Sequence, residues 1–77
     1  METNKEGDVT LSVVMPAYNE GAHITDNLLE TNRVLSGFVK RYEIIAVDDG
    51  SADNTAECIR RAEMQDTHIR GISYQPN

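Results

Sequence analysis

Two adjacent carboxylates, Asp48 and Asp49, directly follow the apolar run Ile44-Ile45-Ala46-Val47, and a breaker, Gly50-Ser51, directly follows them. A short apolar run rich in β-branched residues and bounded by turn formers fits a strand buried on both faces. A charge inside such a strand is costly. The acidic pair therefore belongs just past the carboxyl end of the strand, where a parallel sheet opens to solvent and ligands bind.

The rest of the chain arranges itself around that strand. Residues 1–8 are polar and contain Gly7, and they read as a disordered lead-in to a single domain over 9–77. Val9 to Met15 reads as a first buried strand, which Pro16 is expected to end. A polar loop follows, Ala17-Tyr18-Asn19-Glu20-Gly21. Ala22 to Ser36 is expected to be helical, with Ile24, Leu28, Thr31 and Leu35 on one face, Asn19 or Glu20 capping its start and Gly37 stopping it. Phe38 and Val39 are expected to dock beneath this helix. Tyr42 to Val47 forms the second strand. Asn54 with Glu57 has the spacing of a capping box for a second helix over Thr55 to Gln65. Its inner side is Ala56, Ile59 and Ala62 with Cys58 alongside, and Glu57 and Arg61 form an outward pair. Ile69 to Tyr74 is a third strand, weakened by Arg70 and Gly71.

The order β-α-β-α-β predicts an α/β fold with a mostly parallel sheet, because right-handed crossovers bring such strands into one sheet. Pro16-Ala17-Tyr18 and Asp48-Asp49 then share one carboxyl edge, the ordinary place for a nucleotide.

Charge narrows the partners. Seven Lys and Arg stand against thirteen Asp and Glu, a formal net charge of −6, which disfavours nucleic acid and anionic membrane surfaces as direct partners. No run approaches the ~20 apolar residues of a transmembrane helix, and the start of the chain has no apolar segment of signal-peptide type. The lone Cys58 points to a reducing, cytoplasmic setting.

At the shared edge, Tyr18 offers a flat face and a hydroxyl, while Glu20 and Asp49 offer acceptors for base N–H groups or ribose hydroxyls. Pro16 and Val47 can line the slot. No glycine-rich phosphate loop of dinucleotide or P-loop type is present, so diphosphate charge calls for a divalent cation. Plainer roles exist for each residue. Glu20 can be a helix cap, Tyr18 a loop plug, and Asp48 an acceptor for the Gly50-Ser51 turn. Cys58 suits helix packing better than nucleophilic chemistry. His23, His68, Arg60, Arg61 and Arg70 read as surface residues.

The segments LSVVMPAYNE and YEIIAVDDGSADNT, over Leu11 to Asn77, resemble the N-terminal nucleotide-binding part of family 2 glycosyltransferases of the GT-A fold. Within that family the chain looks most like the polyprenol-phosphate sugar transferases, among them dolichyl-phosphate mannose synthase. The resemblance implies helices on both faces of a Rossmann-like sheet and a hexose donor carried on GDP or UDP. It implies a polyprenyl or dolichyl phosphate acceptor and action at the cytosolic face of a membrane. Pro16, Tyr18, Glu20, Val47 and Asp49 match positions that contact the nucleotide sugar, while Asp48 matches an acid of structural role. Asn77 matches the start of an Asn-x-Gly-x-Gly segment.

The family's Mg²⁺- or Mn²⁺-binding Asp-x-Asp motif, its acceptor-side residues and its catalytic base match nothing in the chain. The chain is therefore expected to be a C-terminally incomplete transferase domain, inactive alone, with an uncovered apolar sheet face. Rival readings are a family 2 transferase acting on a glycan or polysaccharide, and a non-catalytic nucleotide-binding or interaction module. A phosphoacceptor receiver domain ranks below these, because its paired acids follow the first strand, where this chain has Pro16-Ala17-Tyr18.

Overall fold

The computed structural model describes residues 11–74. Its elements run β1 (Leu11–Ala17), α1 (Ile24–Ser36), β2 (Tyr42–Asp49), α2 (Thr55–Gln65) and β3 (Ile69–Tyr74). The strands form one parallel sheet in the order β1-β2-β3. This is the expected α/β architecture. The polar lead-in, the expected strand start at Val9 and the expected role of Asn77 lie outside the described residues.

Two strands run past their expected ends. β1 continues through Pro16, which pairs in register with Val47. Among the described residues β1 is an edge strand, which makes this possible. The Leu11 amide donates toward β2, to the Arg41 carbonyl at 3.2 Å. Strand alternation then turns position 16 outward, where proline's missing N–H breaks no ladder bond. β2 continues through both aspartates. The expectation that both acids lie beyond the strand is corrected: Asp48 is the seventh of eight strand residues and is wholly buried, while Asp49 faces solvent.

The helix ends also differ from expectation. α1 starts at Ile24 after a turn over residues 21–23, and no side chain caps it. The Glu20 main-chain carbonyl instead accepts from the His23 and Ile24 amides at 2.9 and 2.8 Å, so neither Asn19 nor Glu20 is needed as a side-chain cap. α2 has the expected bounds, but the Asn54–Glu57 box does not form. Asp53 takes its place, accepting from the Thr55 amide at 3.0 Å and from the Thr55 hydroxyl. Gly37 stops α1 in a right-handed conformation, with the amides of residues 37–39 turning back to the Val34 and Leu35 carbonyls. Phe38 is 73% exposed rather than docked, and only Val39 packs against the core.

Both helices stand on one face of the sheet. α1 packs on β2 and α2, and α2 packs on β3 and β2. Their buried residues Ile24, Leu28, Leu35, Ile59 and Ala62 join Ala17, Tyr42, Ile44, Ala46 and Ile69 in one core. Gly71 allows α2 to lie close to β3, since a Cβ there would stand 2.5 Å from Ile59 Cγ2. The glycine that weakens β3 as a sequence pattern is thus the point where helix and strand touch.

The opposite face carries no helix among the described residues. Strand alternation and register place Val14, Pro16, Ile45, Val47, Ile72 and Tyr74 on it. Glu43 lies on the same face, accepting from Ser12 Oγ at 2.6 Å and approached by Arg70 at 3.5 Å. Val14 is 61% exposed, so this face presents a continuous apolar stripe to solvent.

Candidate nucleotide-binding edge

The carboxyl ends of β1 and β2 lead into two loops, residues 18–23 and 50–54, and a set of hydrogen bonds ties the loops together. The Asn19 amide donates to Ser51 Oγ at 2.7 Å, and the Ala52 amide donates to Asn19 Oδ1 at 2.8 Å. Ser51 Oγ donates in turn to the Ala17 carbonyl at 3.4 Å. The Glu20 amide donates to Thr55 Oγ1 at 2.9 Å, and the Gly21 amide donates to Asp53 Oδ2 at 3.1 Å. Amides that belong to no helix or strand are thereby satisfied by side chains of the facing loop.

Two backbone features make this clasp possible. Asn19 sits at φ 54 and Gly50 at φ 75. Asparagine tolerates the left-handed region better than most residues, and glycine enters it without strain. Gly21 lies so close to Asn54 that an added Cβ would overlap its side-chain amide. Any larger residue at position 21 has to displace the Asn54 side chain.

Electrostatics follow the hydrogen bonds. The Thr55 hydroxyl, bonded to Asp53, is the main reason that carboxyl is held below the usual carboxylate range, and the Gly21 and Thr55 amides add to the effect. Asp53 therefore serves the clasp as an anion. Asp48 Oδ1 accepts from the Ser51 amide at 3.0 Å. Its Oδ2 is buried and has no partner among the described residues. The expected structural role of Asp48 is the one its surroundings support.

The five residues singled out from the sequence fall into two groups. Pro16 and Val47 are direct register partners, and Asp49 follows two residues after Val47, so all three lie on the helix-free face. Tyr18 and Glu20 project from the β1–α1 loop. Tyr18 is 60% exposed, and the Glu20 carboxylate lies 3.9 Å from His23 Nδ1 in the open. The clasp fixes their backbone while their side chains stay free to meet a ligand. A separate concavity, lined by Lys40, Arg41, Tyr42, Glu43 and His68, lies at the amino ends of the strands. In open parallel sheets ligands gather at the carboxyl ends, so that hollow is the weaker candidate.

The clasp residues Asn19, Ser51, Asp53 and Thr55 escaped sequence reasoning. Asp53 two residues before Thr55 is the pattern of a side chain bonding its own backbone two residues on, and that signal was available. Among the described residues no three His, Cys, Asp or Glu side chains converge to hold a cation. The expected Mg²⁺ or Mn²⁺ has no built site in these residues. No helix among them is long and apolar enough to cross a membrane.

The profile of glycosyl transferase family 2 matches residues 12–75. Two curated relatives are undecaprenyl-phosphate 4-deoxy-4-formamido-L-arabinose transferases. The protein of Shewanella sediminis (strain HAW-EB3) is 38% identical over 68 residues, 87% of this chain and 20% of its own length. That of Edwardsiella ictaluri (strain 93-146) is 44% identical over 55 residues, 71% of this chain and 17% of its own length. The chain thus spans about a fifth of the length of these relatives.

Proposed function

The chain belongs to glycosyl transferase family 2, and from that premise we propose that its clasped loops hold the nucleoside part of a nucleotide sugar. The observation that carries this reading is the clasp itself. It joins the two family motifs at the carboxyl edge and leaves Tyr18, Glu20 and Asp49 unburied there. Asp49 accepts hydrogen bonds from base or ribose. Glu20 supplies a second acceptor, Tyr18 a stacking face, and Pro16 with Val47 an apolar wall. These groups bind and orient the donor, and none is assigned a role in bond breaking.

In the whole protein the reaction is glycosyl transfer to a polyprenyl phosphate at a membrane face. An oxygen of the lipid phosphate attacks the anomeric carbon, and the nucleoside diphosphate leaves with the bonding electron pair. The relatives' names, both specifying undecaprenyl phosphate, support this acceptor over a glycan. The resemblance favours a hexose on GDP or UDP, whereas these names specify a modified pentose.

The test is titration of the chain with GDP, UDP and UDP-sugars, with and without Mg²⁺, followed through amide shifts. Saturable shifts at Tyr18, Glu20, Val47 and Asp49 are expected, and the preferred nucleotide identifies the donor class. A folded chain that answers to neither nucleotide would refute the reading.

A further inference from the structure

Tyr74 is the direct register partner of Asp49, at the last paired position of β2 and β3. Register partners in a parallel sheet project to the same side, and neighbouring strands stand about 4.8 Å apart. Tyr74 therefore shares the helix-free face with Asp49, one strand further from β1. Along β3, Ile72 pairs with Val47, which pairs in turn with Pro16. The row Pro16–Val47–Ile72 is thus an apolar strip running across all three strands, and the row beyond it holds Asp49 and Tyr74. Tyr18 follows β1 at the corresponding level on the other side of Asp49. The acid stands between two tyrosines, and both are open, Tyr18 at 60% and Tyr74 at 56% exposure.

We propose that Tyr74 is a second aromatic wall of the nucleoside site, stacking on the base whose edge or ribose Asp49 holds. The assignment rests on the reading of this edge as a nucleotide site and extends it to β3. Three features support it. A tyrosine offers a planar face together with a hydroxyl, suited to a ligand that is flat on one side and polar at its rim. Its apolar body continues the strip made by Ile72 and Val47, so a bound base covers surface that is otherwise exposed to water. Its partner Asp49 is an acceptor one strand away, on the same face of the sheet. The ring is more than half exposed in this chain, so its face is open to a ligand.

The experiment compares the wild-type chain with Tyr74→Phe, Tyr74→Leu, Tyr18→Leu and Asp49→Asn, each titrated with GDP and UDP. Affinity is read by calorimetry and ring-current shifts of the base protons by NMR. Base stacking on an aromatic side chain predicts a loss of roughly tenfold in affinity for Tyr74→Leu. Tyr74→Phe should stay within about twofold of wild type, because the ring is kept. The upfield shift of the base protons should shrink in Tyr74→Leu and persist in Tyr74→Phe, a signature that a packing role does not produce. Cross-relaxation between the Tyr74 ring and the base protons in the wild-type chain gives the same answer without any substitution. If Tyr74→Leu binds as wild type while Asp49→Asn and Tyr18→Leu weaken, the assignment of Tyr74 fails and the nucleotide site stands. If Tyr74 shows no cross-relaxation to a bound base, the assignment fails in the same way. If the wild-type chain binds neither nucleotide, both fall.

Discussion

The Tyr42 ring stacks on the His68 imidazole, with centroids 4.1 Å apart and planes 6° from parallel. Around this pair a polar network joins α1, β2 and the turn between α2 and β3. Tyr42 donates its hydroxyl to Asn32 Oδ1 on α1, and Asn32 Nδ2 donates to Asp66 Oδ2 at 2.8 Å. The other Asp66 oxygen lies 2.6 Å from His68 Nδ1 and accepts the His68 amide at 2.8 Å. His68 is thus part of a brace at the amino ends of the strands and not the free surface residue that the sequence suggests.

The brace has a pH signature. The His68 amide bond, joined by bonds from the His68 ring and Asn32, holds the Asp66 carboxyl below its ordinary range. A carboxyl with a depressed folded-state pKa contributes stability above its unfolded value, about 4, and loses it as pH falls through the lower folded value. Thermal midpoints should therefore fall below about pH 4, and Asp66→Asn should flatten that fall. Melting curves of both proteins between neutral and strongly acidic pH check this.

Tyr42 gives the alkaline counterpart. Burial, reinforced by the nearby Asp66 charge, raises its phenol above the ordinary value. A raised folded-state pKa means that the stabilisation is complete below the unfolded value, about 10, and is lost as pH rises through the folded one. Tyr42→Phe should cost about 1 kcal/mol near neutral pH through the lost hydrogen bond and should blunt the alkaline loss. Urea unfolding at neutral and alkaline pH reads both effects.

The adjacent aspartates should separate into a stability residue and a binding residue. Asp48→Ala leaves the half-buried Ser51 amide without its acceptor and should destabilise by about 1–3 kcal/mol. Asp48→Asn keeps an oxygen for that amide and should cost less. Asp49→Asn, at an exposed position, should leave the urea midpoint unchanged and weaken nucleotide binding by about 1 kcal/mol or more. Equal loss of stability in Asp48→Ala and Asp49→Asn would contradict the division.

Gly71 is expected to tolerate no side chain. An alanine Cβ meets Ile59 Cγ2 and forces α2 away from β3. Overpacking of this kind costs about 1–3 kcal/mol. The double substitution Gly71→Ala with Ile59→Leu, which removes the Cγ2 branch, should recover part of that loss, which a thermodynamic cycle of urea midpoints measures.

The clasp can be probed at Thr55. Thr55→Val removes the acceptor for the Glu20 amide and the donor to Asp53, with a cost of about 1–2 kcal/mol, whereas Thr55→Ser keeps both. Hydrogen exchange at the Glu20 amide should accelerate in the valine variant alone.

Much of this fold is written in short-range pattern. The apolar runs around Val13 and Ile44 mark two strands, and the spacing of Ile24, Leu28 and Leu35 marks the buried side of α1. The bounds of α2 and β3 agree with expectation to the residue. The strand ends were less legible, because whether Pro16 or Asp48 can stay in a sheet depends on neighbours. Pro16 needs an edge, and Asp48 needs the Ser51 amide. Caps failed for a related reason. Asn54 and Glu57 have the right spacing, but Asp53 satisfies Thr55 while also receiving the Gly21 amide from another loop. The Tyr42–His68 stack joins residues 26 positions apart, and no local pattern announces it. The five candidate residues Pro16, Tyr18, Glu20, Val47 and Asp49 come from the two motifs. The pairing of Tyr74 with Asp49 has no such signal, because only the β2–β3 register brings the two together.

The clasp divides labour between backbone and side chain in a way that bears on how such a site can change over evolutionary time. The residues that fix the loops are Asn19, Ser51, Asp53 and Thr55, and they bond mainly to main-chain amides. The side chains of Tyr18 and Asp49 take no part in that bonding. Substitution at these two positions can alter which ligand is preferred without dismantling the scaffold that presents it. The converse does not hold, since a change at Thr55 or Gly21 disturbs every ligand alike. On the proposed reading, donor choice can then change through a few exposed side chains while the clasped frame stays as it is.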